Sequence, residues 1–266
     1  MLDYVFIVIV GLGIAGAAWA TVLGYCIPAA VGMAFFLLRR RGLRFTRPRW
    51  DPKMLLQCCF NGSSEMVTNL ANAVVTILFN YLMLRFLGES GVAAITIVLY
   101  AQFLLTALYM GFSIGVAPVI SFSYGAENFP RLRRIFRSCA VFITLSSVLI
   151  FGLSLAAAAQ IVSLFSLAGT YVYDLALEGF QLFSPAFLFA GVNIYASALF
   201  TALSDGKTSS LISFLRTFGF LMLGLLALPV VLEETGVWLA VPFAEVLSCL
   251  VSALCLFRGR RRYHYA

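Results

Sequence analysis

Residues 60–83 read FNGSSEMVTNLANAVVTILFNYLM. Lys53 and Arg85 flank the stretch, and Glu65 is the only charged residue between them. The segment exceeds the ~20 apolar residues that a helix needs to cross a bilayer. A single carboxylate inside such a span is costly, and its presence marks a functional position by default.

The rest of the chain fits this setting. It is 62% hydrophobic and only 11% charged, with a mean hydropathy of +0.99. Soluble domains are about 45–50% apolar and about 25% charged. Apolar runs longer than about 18 residues recur along the sequence, which predicts an all-α, polytopic integral membrane protein. A partial span at 1–10 is followed by full spans at 14–38, 54–84, 92–122, 135–158, 178–203, 208–232 and 236–257.

The net charge of +7 does not point to nucleic acid, because no soluble domain is left to present a basic face. Arginines and lysines cluster at alternate connections: 39–53, 123–134, 204–207 and the tail 258–266. By the positive-inside bias these segments are cytoplasmic, and 85–91, 159–177 and Glu233–Glu234 lie outside. The six cysteines fall in or beside apolar runs without metal-ligand spacing, so no metal or cofactor is expected. His264, the single histidine, belongs to the basic tail. Met1-Leu2-Asp3 lacks the basic start of a signal peptide, and suggests a chain that begins within a helix. Gly16 and Gly236 each open an apolar run that ends in an arginine cluster, an echo of the internal repeats common in transporters.

Three short motifs lose their chemistry in context. Gly11-Leu-Gly13-Ile-Ala-Gly16 fits a dinucleotide fingerprint, but no acid follows at the required distance. Its glycines are better read as a turn between spans. Asn61-Gly62-Ser63 has the form of a glycosylation site but lies within a span, and Ser204-Asp-Gly-Lys207 reads as a short basic connection.

The helix containing Glu65 carries more. At about 100° per residue, its polar residues share an arc of about 140°. Gln57, Asn61, Glu65 and Thr68 form one half of this stripe, and Asn69, Asn72, Thr76 and Asn80 the other. One or two such residues serve as interhelical glue, whereas a stripe along the whole helix predicts the wall of a water-filled cavity. Gln102, Thr106, Tyr109 and Ser113 repeat the arrangement within about 60°. Asn193, Ser197, Thr201 and Ser204 form a shorter stripe. Three polar faces predict one enclosed cavity. Tyr109 is the candidate to hold a flat cation by its ring face. Glu245 is a second intramembrane acid, open to a pairing role or a functional one. Arg216 is the only basic residue well inside a span, since Arg137 stands at the edge of its own.

The segments NGSSEMVTNL (61–70), GFSIGVAPVISFSYGAEN (111–128), ALFTALSDGKTS (198–209) and GVWLAVPFAE (236–245) together resemble the MATE family, the multidrug and toxic compound extrusion transporters, in its bacterial branch. The resemblance implies twelve helices in two six-helix lobes. Residues 54–257 would be the second lobe, 1–38 the end of the first, 39–53 a cytoplasmic linker and 258–266 a cytoplasmic tail. The first four helices would be absent, so the chain would lack partner helices at its amino-terminal side. It further implies export of small organic cations in exchange for H+ or Na+ across a bacterial inner membrane. Glu65 matches the family's seventh-helix acid, while Asp3 and Thr21 match residues of a first-lobe cation site, with Na+ possible near Asp3. Asn61, Thr68, Asn69, Asn72, Thr76, Gln102, Thr106, Tyr109 and Asn193 would then line the substrate cavity. The alternatives are a lipid-linked saccharide flippase of the same superfamily, and a fragment without independent function. A flippase would line its cavity with several basic residues to hold pyrophosphate. A membrane enzyme would need a nucleophile–base pair or metal ligands inside the spans, and neither is visible.

Overall fold

The computed structural model describes residues 4–9, 11–38 and 50–265. The side chains at 8, 38, 54 and 57–69 fall outside that description. The described residues are helices joined by short turns, in two compact units, Met1–Gln57 and Cys58–Ala266.

In the first unit a π-helical turn, Val5–Ile9, precedes α1 (Gly13–Leu38). Gly11 and Gly13 hold φ of +70° and +53° at the turn between them, a conformation that glycine adopts without steric cost. A side chain at Gly16 would meet the Phe6 carbonyl oxygen at 2.8 Å. The three glycines of the apparent dinucleotide motif therefore serve a tight turn and a close helix approach.

The second unit contains α2 (Pro52–Gly125) from Cys58 onward, α3 (Phe129–Ala156), the short α4 (Ala158–Ser163), α5 (Tyr171–Phe183) and α6 (Ala186–Ala202). After α7 (Gly206–Phe214), a π-helical turn at Leu215–Gly219 leads into α8 (Phe220–Tyr263). Among the described residues, four helices are long and apolar enough to cross a membrane, or five if the bent pair α5–α6 counts as one span. Two of these runs are themselves hairpins. At 1.5 Å per residue α2 would extend about 110 Å, against about 30 Å of hydrocarbon. It is broken at Gly88 (φ 66°, ψ −155°). On a straight helix Asn72 and Thr106 would stand about 50 Å apart, yet both border one cavity. α8 is likewise broken at Glu233 (φ 51°, ψ −128°). A side chain at Gly224 would meet the Ala240 carbonyl oxygen at 3.1 Å, so the two arms of α8 lie side by side. The breaks fall within the expected connections at 85–91 and 233–234.

On α3 the outer face is apolar, and the inner face mixes serines with apolar residues such as Ile143 and Ile150. Ser146, Ser147 and Ser154 are buried while Leu145, Leu149 and Leu153 are exposed. Leucine facing outward is stable where the solvent is hydrocarbon, and polar groups must then be satisfied inside. The chain is an integral membrane protein.

Two expected boundaries move. The basic segment 123–134 is helical from Phe129 onward, because the Asn128 side chain caps the backbone N–H of Arg131 and Pro130 sits in the first turn. The span expected at 178–203 starts at Tyr171 and bends by 56° between α5 and α6. Pro185 lies at the bend and has no N–H to continue the helix.

The connections gather at two ends of the second unit. Tyr263 donates to Asp205 Oδ2 at 2.8 Å, and Arg133 Nε donates to the His264 carbonyl at 3.1 Å. These bonds bring the turns at 123–134 and 204–207 together with the tail. Glu89, Phe165 and Thr170 line one groove elsewhere, which brings the connections at 85–91 and 159–177 together. Buried pressure on the Asp205 charge is outweighed by donors from Thr208 and Tyr263, which hold its carboxyl below the usual range.

Candidate functional site: a polar cavity beside a buried ion pair

The α2 hairpin supplies the first wall. Asn72 and Thr76 from its first arm and Gln102 and Thr106 from its second border a cavity of ≈ 430 Å³. The i, i+4 spacing that put each pair on one helix face brings all four to one space. Thr76 and Thr106 donate to the carbonyls of Asn72 and Gln102, one turn back, at 2.9 and 2.8 Å. Their hydroxyl hydrogens are thus used within the helix, and their lone pairs remain for a guest.

The opposite wall is ionic. Arg216 stands in the π-helical turn Leu215–Gly219, a distortion often found at functional positions. Its Nη2 lies 2.7 Å from Glu245 Oε1, and its Nε donates to Oε1 and Oε2 at 2.8 and 3.0 Å. Asn193 donates from Nδ2 to Glu245 Oε2 at 2.7 Å and to the Glu245 carbonyl at 2.9 Å. Ser252 donates to Asn193 Oδ1 at 2.9 Å. The Glu245 side chain is 4% exposed and that of Arg216 19%. A buried carboxylate needs both a counter-charge and hydrogen-bond donors, and Glu245 has both.

A second cavity of ≈ 290 Å³ shares Thr106 and Arg216 with the first and is bordered also by Ser113, Asn193, Ser197 and Ser213. The three polar faces therefore border two cavities rather than the one expected. Tyr109 borders neither of them. It is fully buried, its hydroxyl donates to the Phe187 carbonyl at 3.1 Å, and a side chain at Gly191 would meet its ring at 2.9 Å. The expectation that its ring face meets a cation is corrected: the ring is packed against α6. Thr21 is exposed on α1 and donates to the Ala17 carbonyl. Asp3 and the side chains of Asn61, Glu65, Thr68 and Asn69 lie outside the described residues.

Sequence periodicity missed the pairing of Arg216 with Glu245. The available signal was scarcity: these are the two opposite charges inside the last two spans.

The fold and the site define a helical membrane protein with polar cavities inside a lipid-facing bundle. The sequence model of the MatE family matches residues 65–226, and the chain belongs to that family. No curated protein matches it. An outward-facing multidrug resistance MATE family transporter of the MOP superfamily shares the fold, with a TM-score of 0.81 at 19% identity over 98% of this chain and 59% of that one. A MOP superfamily transporter from Pyrococcus furiosus, described as having a binding pocket of reverse polarity, gives 0.81 at 20% over 98% and 59%. An inward-facing MATE structure gives 0.77 at 20% over 98% and 60%. The chain thus spans about three-fifths of the length of these structures.

Proposed function

We propose that the chain works as the carboxy-terminal part of a secondary transporter that exports small organic cations in exchange for H+ or Na+. Residues 54–257 would be its second lobe and 1–38 the end of its first. The basic connections and tail would face the cytoplasm of a bacterial inner membrane, in line with their arginine bias.

The observation that carries this reading is the ≈ 430 Å³ cavity walled by Asn72, Thr76, Gln102 and Thr106 within a lipid-facing bundle. Its size is in the range of small-molecule sites. Glu245 is a poor coupling group, since Arg216 and Asn193 already saturate its oxygens. The pair leaves the described wall without net charge. Glu65, two turns before Asn72 by helical period, is then the acid assigned to coupling. A bound cation favours its carboxylate and expels the proton or Na+, and the arriving ion expels the cation. Such competition gives each ligand the differential interaction that exchange requires. Asp3 and Thr21 are assigned a supporting cation site, and Asn61, Thr68 and Asn69 the continuation of the cavity wall.

The test is uptake of tetraphenylphosphonium into proteoliposomes under an imposed pH or Na+ gradient. Gradient-driven accumulation is expected, and Glu65→Gln is expected to abolish it without loss of folded protein. Accumulation by Glu65→Gln at the unaltered rate and with the same ion dependence would remove Glu65 from the mechanism.

A further inference from the structure

The ≈ 290 Å³ cavity has a chemistry that transport of cations does not use. Arg216 spends Nε and Nη2 on Glu245. Its Nη1 makes no hydrogen bond among the described residues, and a guanidinium carries five N–H donors. Ser113, 3% exposed and on the same cavity, has a hydroxyl without a hydrogen-bond partner among the described residues. A buried hydroxyl left unbonded forfeits the hydrogen bonds it made to water, so this one calls for a guest.

The neighbouring hydroxyls lean the same way. Ser209 donates to the Ser197 carbonyl at 2.9 Å, and the Ser197 and Ser213 hydroxyls share a hydrogen bond at 2.7 Å in which either can be the donor. With Ser197 as the donor of that bond, Ser213 has its own hydrogen for the cavity. The carboxylate and amide acceptors nearby are taken, since Glu245 is bonded by Arg216 and Asn193, and Asn193 Oδ1 by Ser252, which leaves only hydroxyl oxygens such as that of Thr106. What the cavity offers is an excess of donors around one guanidinium edge.

We infer that this second cavity binds a small monovalent anion, a carboxylate or a halide, held by Arg216 Nη1 and the hydroxyls of Ser113 and Ser213. Arginine suits the role because its planar fork engages Glu245 on one edge and a second anion on another. The inference goes beyond the transport reading and does not need it: it concerns what the cavity holds, not what crosses the membrane. The anion comes either from free salt or from the acidic group of a zwitterionic guest whose cationic end lies in the larger cavity.

The experiment is thermal unfolding of the purified chain in lipid nanodiscs, titrated with chloride or acetate against gluconate at constant ionic strength. A saturable rise in Tm is expected, since a ligand of the folded state stabilises in proportion to its occupancy. Ser113→Ala should weaken the apparent affinity by about 3–10-fold, the loss of one hydrogen bond. Arg216→Gln combined with Glu245→Gln keeps the pair neutral and should abolish the effect. If that variant does not fold, Ser113→Ala and Ser213→Ala carry the test. To separate the sources, a carboxylate-bearing quaternary ammonium compound is compared with its methyl ester. Tighter binding of the acid by tenfold or more, competing with chloride, assigns the anion to the guest. Equal binding of acid and ester beside a saturable chloride effect assigns it to free salt. No saturable shift with either anion, or a shift undiminished in every variant, overturns the proposal.

Discussion

Asn72 and Asn193 are the same residue, both inside membrane helices, and the fold uses them in opposite ways. Asn193 is fully buried, and all its hydrogen bonds point inward: two to Glu245 and one from Ser252. Asn72 is exposed on the cavity wall, and its amide bonds to no described residue. Around Asn193 the polar groups satisfy one another and fix the approach of α6 to α8. Around Asn72 they are left for water or a guest. A polar residue in a span is thus either part of the scaffold or part of the site, and what separates the two is whether its partners lie within the protein.

The largest effect should come from breaking the scaffold. Glu245→Leu leaves Arg216 as an unpaired charge, and should destabilise the folded protein by about 3–5 kcal/mol. Arg216→Met added to Glu245→Leu should recover most of the loss, since two apolar residues replace two charges. Thermal unfolding in detergent reads both variants. A double variant no more stable than the single would mean that the knot acts through something besides charge pairing. Asn193→Leu comes next, at about 2–4 kcal/mol. It strips donors from a buried carboxylate and leaves Ser252 without its acceptor, at a cost of about 1–3 kcal/mol per unsatisfied group and more for a charged one. A loss below about 1 kcal/mol would erase the contrast with Asn72.

Much of this arrangement was readable from the sequence, and the failures have physical causes. The connections at 85–91 and 233–234 were legible because polar residues interrupt apolar runs there, and Gly88 and Glu233 are the residues that leave helical geometry. The bend at Ser184–Pro185 was not, because the apolar run continues through it. Gln102 and Thr106 border one cavity with Asn72 and Thr76. Tyr109 continues the same arc yet is packed away, because helical period gives a direction and not the neighbour found there. The neighbour is Gly191, whose missing side chain makes room for the ring. Arg216 and Glu245 are 29 residues apart on different arms, beyond any periodicity within one helix. Asn193 drew attention as a polar residue in a span, but nothing in its own helix revealed that its bonds were already spoken for.

The smallest expected effect on stability is the sharpest for function. Asn72→Leu removes an amide that no described residue bonds, so unfolding should shift by less than about 1 kcal/mol, as for substitutions that break no internal contact. The leucine adds apolar surface to the cavity and takes away a hydrogen-bonding group from the wall it shares with Thr76, Gln102 and Thr106. Uptake of a large organic cation should fall severalfold while folded protein in the membrane stays constant. The opposite pairing of results is the informative one. If uptake persists and unfolding shifts by as much as for Asn193→Leu, then Asn72 belongs to the scaffold. The cavity beside it would then be a packing gap, and guest recognition would pass to the side of the bundle where Arg216 stands.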